Sequence, residues 1–345
     1  MNSTCNQMEE LSSSIFLRCT LIFTLSSCAI LIPMTIAASH SLWFSKSASL
    51  FHLNLRIILQ LHLIGFLIHA TGRFALHFID LYNYFMLDPC TMIPNVWRCF
   101  WLRFIYAVGL WITSTTVVPL VMERWMATKY SNRYEHKGVA VGLVFVVVQC
   151  LVCSIHLVVL YSGSKIEGVV MPYCMVARDS KVNVGEINGF ATVVVQLFAR
   201  LIFQYLYKVN GKLRKKQLES TLSNRFQLEQ NLMLDHHDFL VYFLFFRVMD
   251  ILKVFANIST IYLSIHAFSF MAVLSLKEHV ASPIYFSLVE INSSYPIYGI
   301  ISILIMWNML EKNRRKVNDN LQTHVNSTWQ GDYQHFRVSE LKTGK

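Results

Sequence analysis

Seven long apolar runs divide the sequence, and each is long enough to cross a membrane as a helix. The first contains CTLIFTLSSCAILIPMTIAA at 19–38, and about 20 mostly apolar residues are enough to span the hydrocarbon core. Lipid offers no partners for unpaired backbone groups, so these runs must be helical. The runs lie near 15–38, 52–78, 99–124, 138–161, 188–207, 239–266 and 282–310. The sequence therefore predicts an all-α integral membrane bundle of seven helices.

The composition agrees with one membrane domain. Hydrophobic residues make up 54% of the 345 residues and charged residues 14%, whereas a soluble domain carries roughly a quarter charged residues. We expect a short N-terminal segment at 1–14, a seven-helix domain at 15–310 and a tail at 311–345. The first 14 residues hold no Lys or Arg, so a cleaved signal peptide is not expected and the first run is interpreted as a retained span.

The basic residues predict the orientation of the bundle. Lys and Arg cluster at 208–225 and 312–316, and cytoplasmic loops carry the excess of these residues. We therefore expect an outer N-terminus, with glycosylation at the Asn2 sequon, and a cytoplasmic C-terminus. Because the basic residues lie on separate loops beside a membrane, a nucleic-acid partner is not expected.

Eight cysteines fall into two groups. Four lie inside the spans, where cysteine usually packs as a small apolar residue: Cys19, Cys28, Cys150 and Cys153. The other four, Cys5, Cys90, Cys99 and Cys174, fall on the predicted outer side. Four cysteines in an oxidising compartment allow three pairings.

The third span combines a cysteine at its outer end with an acid, a base and an aromatic residue at its inner end. Arg124 follows Cys99 by 25 residues, about 37 Å along a helix. Taken alone, Glu123-Arg124-Trp125 is also typical of an interfacial anchor.

This layout resembles the third helix of rhodopsin-type receptors. The resemblance implies a disulfide between Cys99 and Cys174, and gives Glu123-Arg124-Trp125 the place of a D/E-R-Y motif that controls G protein coupling. The pairing of Cys5 and Cys90 stays open. We expect Glu123 to restrain Arg124, with help from Asp250 on the sixth span.

Five stretches narrow the resemblance to one family. They are FHLNLRIILQLHLIGFLIHATGRFALHFIDLYNY (51–84), DPC (88–90), RCFWLRFIYAVGLW (98–111), ERWMATKYSNRYE (123–135) and LSNRFQLEQN (222–231). They are similar to the nematode serpentine chemoreceptors of class alpha/beta, with classes alpha and beta as neighbours. The resemblance implies a G protein-coupled chemosensory receptor for a small odorant or pheromone-like ligand, in the plasma membrane and sensory cilia of chemosensory neurons. The sixth span lacks the usual proline motif, and SYPIYG around Pro296 only loosely resembles N-P-x-x-Y.

Polar residues inside the spans are candidates for a ligand cavity. On the second span one helical face carries His62, His69, Arg73, His77 and Asp80. The other candidates lie on the remaining spans: Arg103, Tyr106, Asn188, Gln196, Tyr262, His266, Glu290 and Tyr295. Intramembrane ionisable residues face the bundle interior by default, where they would either line a cavity or form hydrogen bonds between helices. We expect Glu290 to pair with Arg73 or His69.

Two other classes of protein fit the pattern less well. A histidine-rich membrane metalloenzyme needs clustered ligands, but the only adjacent histidines are His236 and His237, so no enzyme, metal or cofactor is expected. A ligand-gated channel or small-molecule transporter remains the alternative, since intramembrane charges often mark ion paths. Transporters tend to show repeats with broken helices, and the two halves of this chain show no such symmetry.

Overall fold

Seven helices of the computed structural model are long and apolar enough to cross a membrane. The structure describes residues 2–45, 51–130, 139–162, 173–174, 184–228, 235–312 and 315, and the regular structure within these residues is helical. The spans are Ile15–Phe44, Leu53–Met86, Val96–Lys129, Ala140–Tyr161, Phe190–Lys212, Met249–Ser275 and Ser282–Lys312, and we number them one to seven. The fifth and sixth spans are parts of longer helices, Val184–Leu228 and Asp235–Ser275. These helices confirm the predicted seven-helix fold.

The sixth predicted span, 239–266, lies within one long helix, Asp235–Ser275. Among the residues whose side chains the structure describes, Met249–Ser275 is the part of this helix that is long and apolar enough to cross a membrane. The helix itself begins at Asp235 and runs without a break through the charged residues Asp250 and Lys253.

A helix that the sequence analysis did not predict precedes the first span. It covers Asn2–Ser13, and Met8 and Leu11 are buried in a small core with residues of the first and second spans. A disulfide joins Cys5 in this helix to Cys90. The segment therefore folds back over one end of the bundle.

The third and seventh spans are each interrupted. The third consists of helices Val96–Thr115 and Val117–Lys129, which meet at Thr116 just before Pro119. The seventh consists of Ser282–Asn292 and a helix over 295–312. Pro296 has no N–H to donate to the carbonyl of Asn292, four residues earlier, and that carbonyl accepts instead from Nδ1 of His266 at 2.9 Å.

The second and third spans cross at unusually close range because glycines meet there. A Cβ placed on Gly109 would lie 2.4 Å from the carbonyl oxygen of Gly65 and 2.4 Å from the backbone nitrogen of His69. Small residues let membrane helices approach in this way. The crossing places the polar face of the second span directly against the third.

The outward faces are apolar. Large side chains such as Val147, Leu151, Ile155 and Val158 on the fourth span are each more than half exposed. In water such a surface would be costly, but in a bilayer it faces lipid. The five polar residues of the second span, by contrast, are all buried, which confirms that they face the interior.

Candidate ligand site and ERW motif

The two ends of the bundle carry different features, and we name the ends by them. The disulfide end holds the disulfides Cys5–Cys90 and Cys99–Cys174. The ERW end holds Glu123, Arg124 and Trp125, at the far end of the third span. The second disulfide joins the third span to the loop after the fourth, as the resemblance implies. The first joins Cys5 to Cys90, whose pairing the sequence analysis left open.

A buried cluster around Glu290 lies at the disulfide end. We call it the Glu290 cluster, and its members are Arg73, His77, Arg103, Tyr173 and Glu290. Arg73 Nη2 forms an ion pair with Glu290 Oε2, and Arg103 Nη2 lies 3.1 Å from Glu290 Oε1. The Tyr173 hydroxyl donates to the same Oε1 at 2.9 Å, and His77 Nε2 lies 3.4 Å from Oε2. All five residues are less than a tenth exposed.

The break in the seventh span contributes to this cluster. Arg73 Nη1 donates to the carbonyl of Ser293, which lies at the break. Because the helix is interrupted there, backbone carbonyls become available to side chains, and in lipid each must find a donor. The expected ion pair of Glu290 with Arg73 is present, and it fixes the second span to the seventh.

Arg103 connects the cluster to the loop after the fourth span. Its Nε donates to the carbonyl of Cys174 and its Nη1 donates to the Tyr106 hydroxyl at 2.6 Å. The disulfide Cys99–Cys174 holds the same loop residue one turn away on the same helix. The third span and this loop are thus joined by one covalent and one charge-assisted contact.

Tyr173 is a cluster member that the sequence analysis missed. Its ring stacks on Phe286 with centroids 4.5 Å apart, and burial, followed by the charge of Glu290, raises its pKa well above its usual value. Tyr173 therefore stays a neutral donor at physiological pH. Its position next to Cys174 could have indicated this from the sequence, because a residue beside the loop disulfide is held near the third span.

Among the described residues, several buried polar atoms beside the cluster have no hydrogen-bond partner. They include Nδ1 of His77, Nε2 of His69 and Oδ2 of Asp80. Nε and Nη2 of Arg98, close enough to Asp80 to interact with it electrostatically, also lack hydrogen-bond partners. Buried polar groups are usually paired, so this group has unused capacity for hydrogen bonds.

The other candidate residues form hydrogen bonds and ring contacts between spans. His69 Nδ1 lies 3.0 Å from the carbonyl of Tyr106, Gln196 Nε2 donates to the carbonyl of Ser114, and the Tyr295 hydroxyl donates to Thr113. Tyr262 stacks on Tyr298 with centroids 4.6 Å apart. The side chain of Asn188 lies outside the described part of the structure. These residues form a layer beneath the Glu290 cluster, and their role in ligand binding stays a prediction.

Glu123 and Arg124 form a buried ion pair at the ERW end. Nε of Arg124 contacts Oε2 of Glu123. Glu123 is 0% exposed and Arg124 is 2% exposed. Trp125, by contrast, is 38% exposed and lies beneath the ammonium group of Lys129, 5.0 Å from the ring centroid. The pair therefore faces the bundle and the tryptophan faces outward.

Asp250 has a different contact from the one that the sequence suggested. Its Oδ1 accepts from the Tyr207 hydroxyl of the fifth span at 3.1 Å. The ammonium group of Lys253 lies 4.0 Å from the centroid of the same tyrosine ring. Asp250 thus joins the fifth and sixth spans, and its part in restraining Arg124 stays a prediction.

Within the part of the chain that the structure describes, no three His, Cys, Asp or Glu side chains are placed to hold a metal ion.

The family model described as serpentine type 7TM GPCR receptor class ab chemoreceptor matches residues 2–339. The chain belongs to this family, which confirms the resemblance to class alpha/beta, and it is therefore a multi-pass membrane protein of a chemosensory receptor family. It is also similar to serpentine receptor class beta-12 of Caenorhabditis elegans, with 23% identity over 191 residues. That match covers 52% of this chain and 53% of the relative, so it spans about half the length of each.

Proposed function

We propose that this protein is a chemosensory receptor that binds a small odorant or pheromone-like molecule at the disulfide end and activates a heterotrimeric G protein at the ERW end. In this proposal the disulfide end is outside and glycosylated at Asn2, and the receptor lies in the plasma membrane of sensory cilia. The oxidising environment that disulfides need supports this orientation.

The observation that carries the proposal is that the third span takes part in both sites. Arg103 belongs to the Glu290 cluster, and Arg124 is 21 residues further along the same span, about 30 Å away at the rise of an α-helix. A displacement of the third span at one end is therefore passed to the other end through its two helices, which meet at Thr116. The interruption at Thr116 gives this span a place to bend.

The Glu290 cluster supplies a physical means of coupling ligand to helix position. Glu290 accepts from the second span, the third span and the loop residue Tyr173. A ligand that replaces one of these contacts favours a different arrangement of the same helices. It shifts the equilibrium only by its difference in affinity for the two arrangements.

At the ERW end the proposed change is the release of Arg124. Two opposite charges at a partly desolvated helix end attract each other more strongly than in bulk water, so the Glu123–Arg124 pair stabilises the resting state. A groove on the G protein that accepts the guanidinium would replace Glu123 at modest net cost. Trp125 is then a membrane anchor beside the pair.

A screen of volatile and water-soluble compounds against the expressed receptor, with nucleotide exchange on co-expressed Gα subunits as the readout, tests the proposal. The expected result is exchange that depends on both the compound and the receptor. Suppose instead that no compound causes exchange, but that a compound produces a current in cells without G proteins. That result would identify a channel. Several Gα classes should be included because the contacts at the ERW end do not select among them.

A further inference from the structure

We propose that the Glu290 cluster is an anion-binding subsite, and that the ligand of this receptor carries a carboxylate or a similar anionic group. The inference rests on the proposed function for the identity of the ligand. Its basis is the charge and the unused donors of the cluster.

Among the described residues, the charges of the Glu290 cluster and its neighbours Arg98 and Asp80 do not balance. Arg73, Arg98 and Arg103 contribute three positive charges, whereas Glu290 and Asp80 contribute at most two negative charges. The excess is one positive charge if Asp80 is ionised and two if it is not. Within the described residues, no Lys or Arg nitrogen lies within ion-pair distance of Asp80, although Arg103 and Arg98 are close enough to interact with it electrostatically.

The cluster also has donors to spare. A guanidinium group has five N–H donors, and Arg103 engages three acceptors: the Cys174 carbonyl, the Tyr106 hydroxyl and Glu290. His77 Nε2 lies 3.2 Å from Arg73 Nε, so its other ring nitrogen, Nδ1, is the buried atom without a partner. A second carboxylate bound here would find N–H donors that the described residues leave unused.

Burial makes the excess charge costly and therefore attractive to an anion. Arg73 is 1% exposed and Arg103 is 8% exposed, and a buried charge is stable only when it is paired. Arginine binds planar carboxylates through two parallel hydrogen bonds, which adds geometric selectivity. A cationic ligand would meet like charge here, and a neutral ligand would leave the excess uncompensated.

The surroundings suit an anion attached to an aromatic or apolar body. Tyr173 and Phe286 stack on each other beside Glu290, and both arginines lie near the face of the Tyr106 ring. Aromatic carboxylic acids are therefore the most suitable first ligands to test. Benzoate and its neutral isostere benzamide differ in charge but hardly in size.

The experiment measures thermal unfolding of the purified full-length receptor in nanodiscs, titrated with sodium benzoate or benzamide at constant ionic strength. Two arginine variants at the disulfide end are compared. Arg103→Gln removes a cluster member, while Arg18→Gln removes a positive charge that lies over the ring of Phe85. A ligand that binds only the folded state raises the unfolding temperature in proportion to its occupancy.

The expected result is stabilisation of the wild-type receptor by benzoate and not by benzamide. Arg103→Gln should weaken benzoate binding by at least about tenfold, the effect of losing one charge-assisted contact of about 1.4 kcal/mol or more, while Arg18→Gln should leave it unchanged. Equal effects of benzoate and benzamide on the wild-type receptor would overturn the inference, even if Arg103→Gln does not fold. Equal weakening by the two variants would also overturn it.

The benzoate titration uses purified receptor without a G protein, so its outcome does not depend on the proposed signalling function. Benzoate binding at the cluster without nucleotide exchange for any compound would leave the subsite established and contradict the receptor mechanism. Exchange driven by neutral compounds, with no benzoate binding, would support the receptor and overturn the anionic ligand.

Discussion

Arg73 on the second span and Glu290 on the seventh form a buried ion pair across 217 residues of sequence. The pair stands where three helices and a loop meet, and Arg103 and Tyr173 bind the same carboxylate. A structure that places charge this deep must satisfy it within the protein. The cluster is therefore both a structural joint and the candidate ligand site.

Glu290→Gln should impair folding and surface expression. Loss of this carboxylate leaves Arg73 and Arg103 buried without their charged acceptor, and breaking a buried pair costs about 3–5 kcal/mol in soluble proteins. The measurement is the unfolding temperature and the fraction of receptor at the cell surface. The double variant Arg73→Gln/Glu290→Gln should lose less than the sum of the two single variants, because the partners interact directly. Additive losses would show that the pair contributes little.

Gly109→Ala should destabilise the bundle by about 1–3 kcal/mol, the usual cost of overpacking. The added methyl group would meet backbone atoms of Gly65 and His69 at 2.4 Å, so the second and third spans must separate. Gly211→Ala is the matched control, since a Cβ there has no neighbour within 4 Å. If both variants unfold at the same temperature, the close crossing does not determine stability.

Cys99→Ser should lower both stability and the response to ligand. The disulfide to Cys174 positions Tyr173 and the carbonyl that Arg103 contacts, and removal of a disulfide typically costs about 2–4 kcal/mol. Cys19→Ser provides the comparison, because Cys19 is a free cysteine on the first span. Thermal unfolding and dose–response curves measure the two effects. A Cys99→Ser receptor that behaves like Cys19→Ser would mean that the loop is held by other contacts.

The general architecture followed from sequence because membrane spans obey simple rules. Apolar length predicts the helices, and the cost of charge in lipid predicts that residues such as Arg73 and Glu290 face inward and pair. The pairing of Cys99 with Cys174 required the family resemblance, since the sequence by itself allowed three pairings.

The remaining features depend on contacts that no local pattern encodes. Tyr173 lies in a loop, and its insertion beside Glu290 depends on the fold of the whole disulfide end. Asp250 contacts Tyr207 of the fifth span, which depends on the rotation of two helices relative to each other.

Glu123→Gln should raise basal signalling. The neutral amide holds Arg124 less strongly than the carboxylate does, and a loss of about 1 kcal/mol in the resting state raises the active fraction about fivefold when that fraction is small. Nucleotide exchange without ligand, corrected for surface receptor, is the measurement. Arg56→Ala serves as the control. Arg56 lies on the second span at the ERW end of the bundle and donates to the Phe51 carbonyl. Unchanged basal exchange in Glu123→Gln would argue against a restraining pair.

The central claim is that Arg124 couples the disulfide end to a G protein, and Arg124→Ala tests it most directly. The measurement compares agonist binding and agonist-stimulated nucleotide exchange for Arg124→Ala and Arg56→Ala at matched surface levels, with an agonist taken from the screen. The account predicts that Arg124→Ala binds the agonist but no longer stimulates exchange, whereas Arg56→Ala does both. Normal exchange by Arg124→Ala at normal surface levels would contradict the account and leave Glu123-Arg124-Trp125 as a membrane anchor.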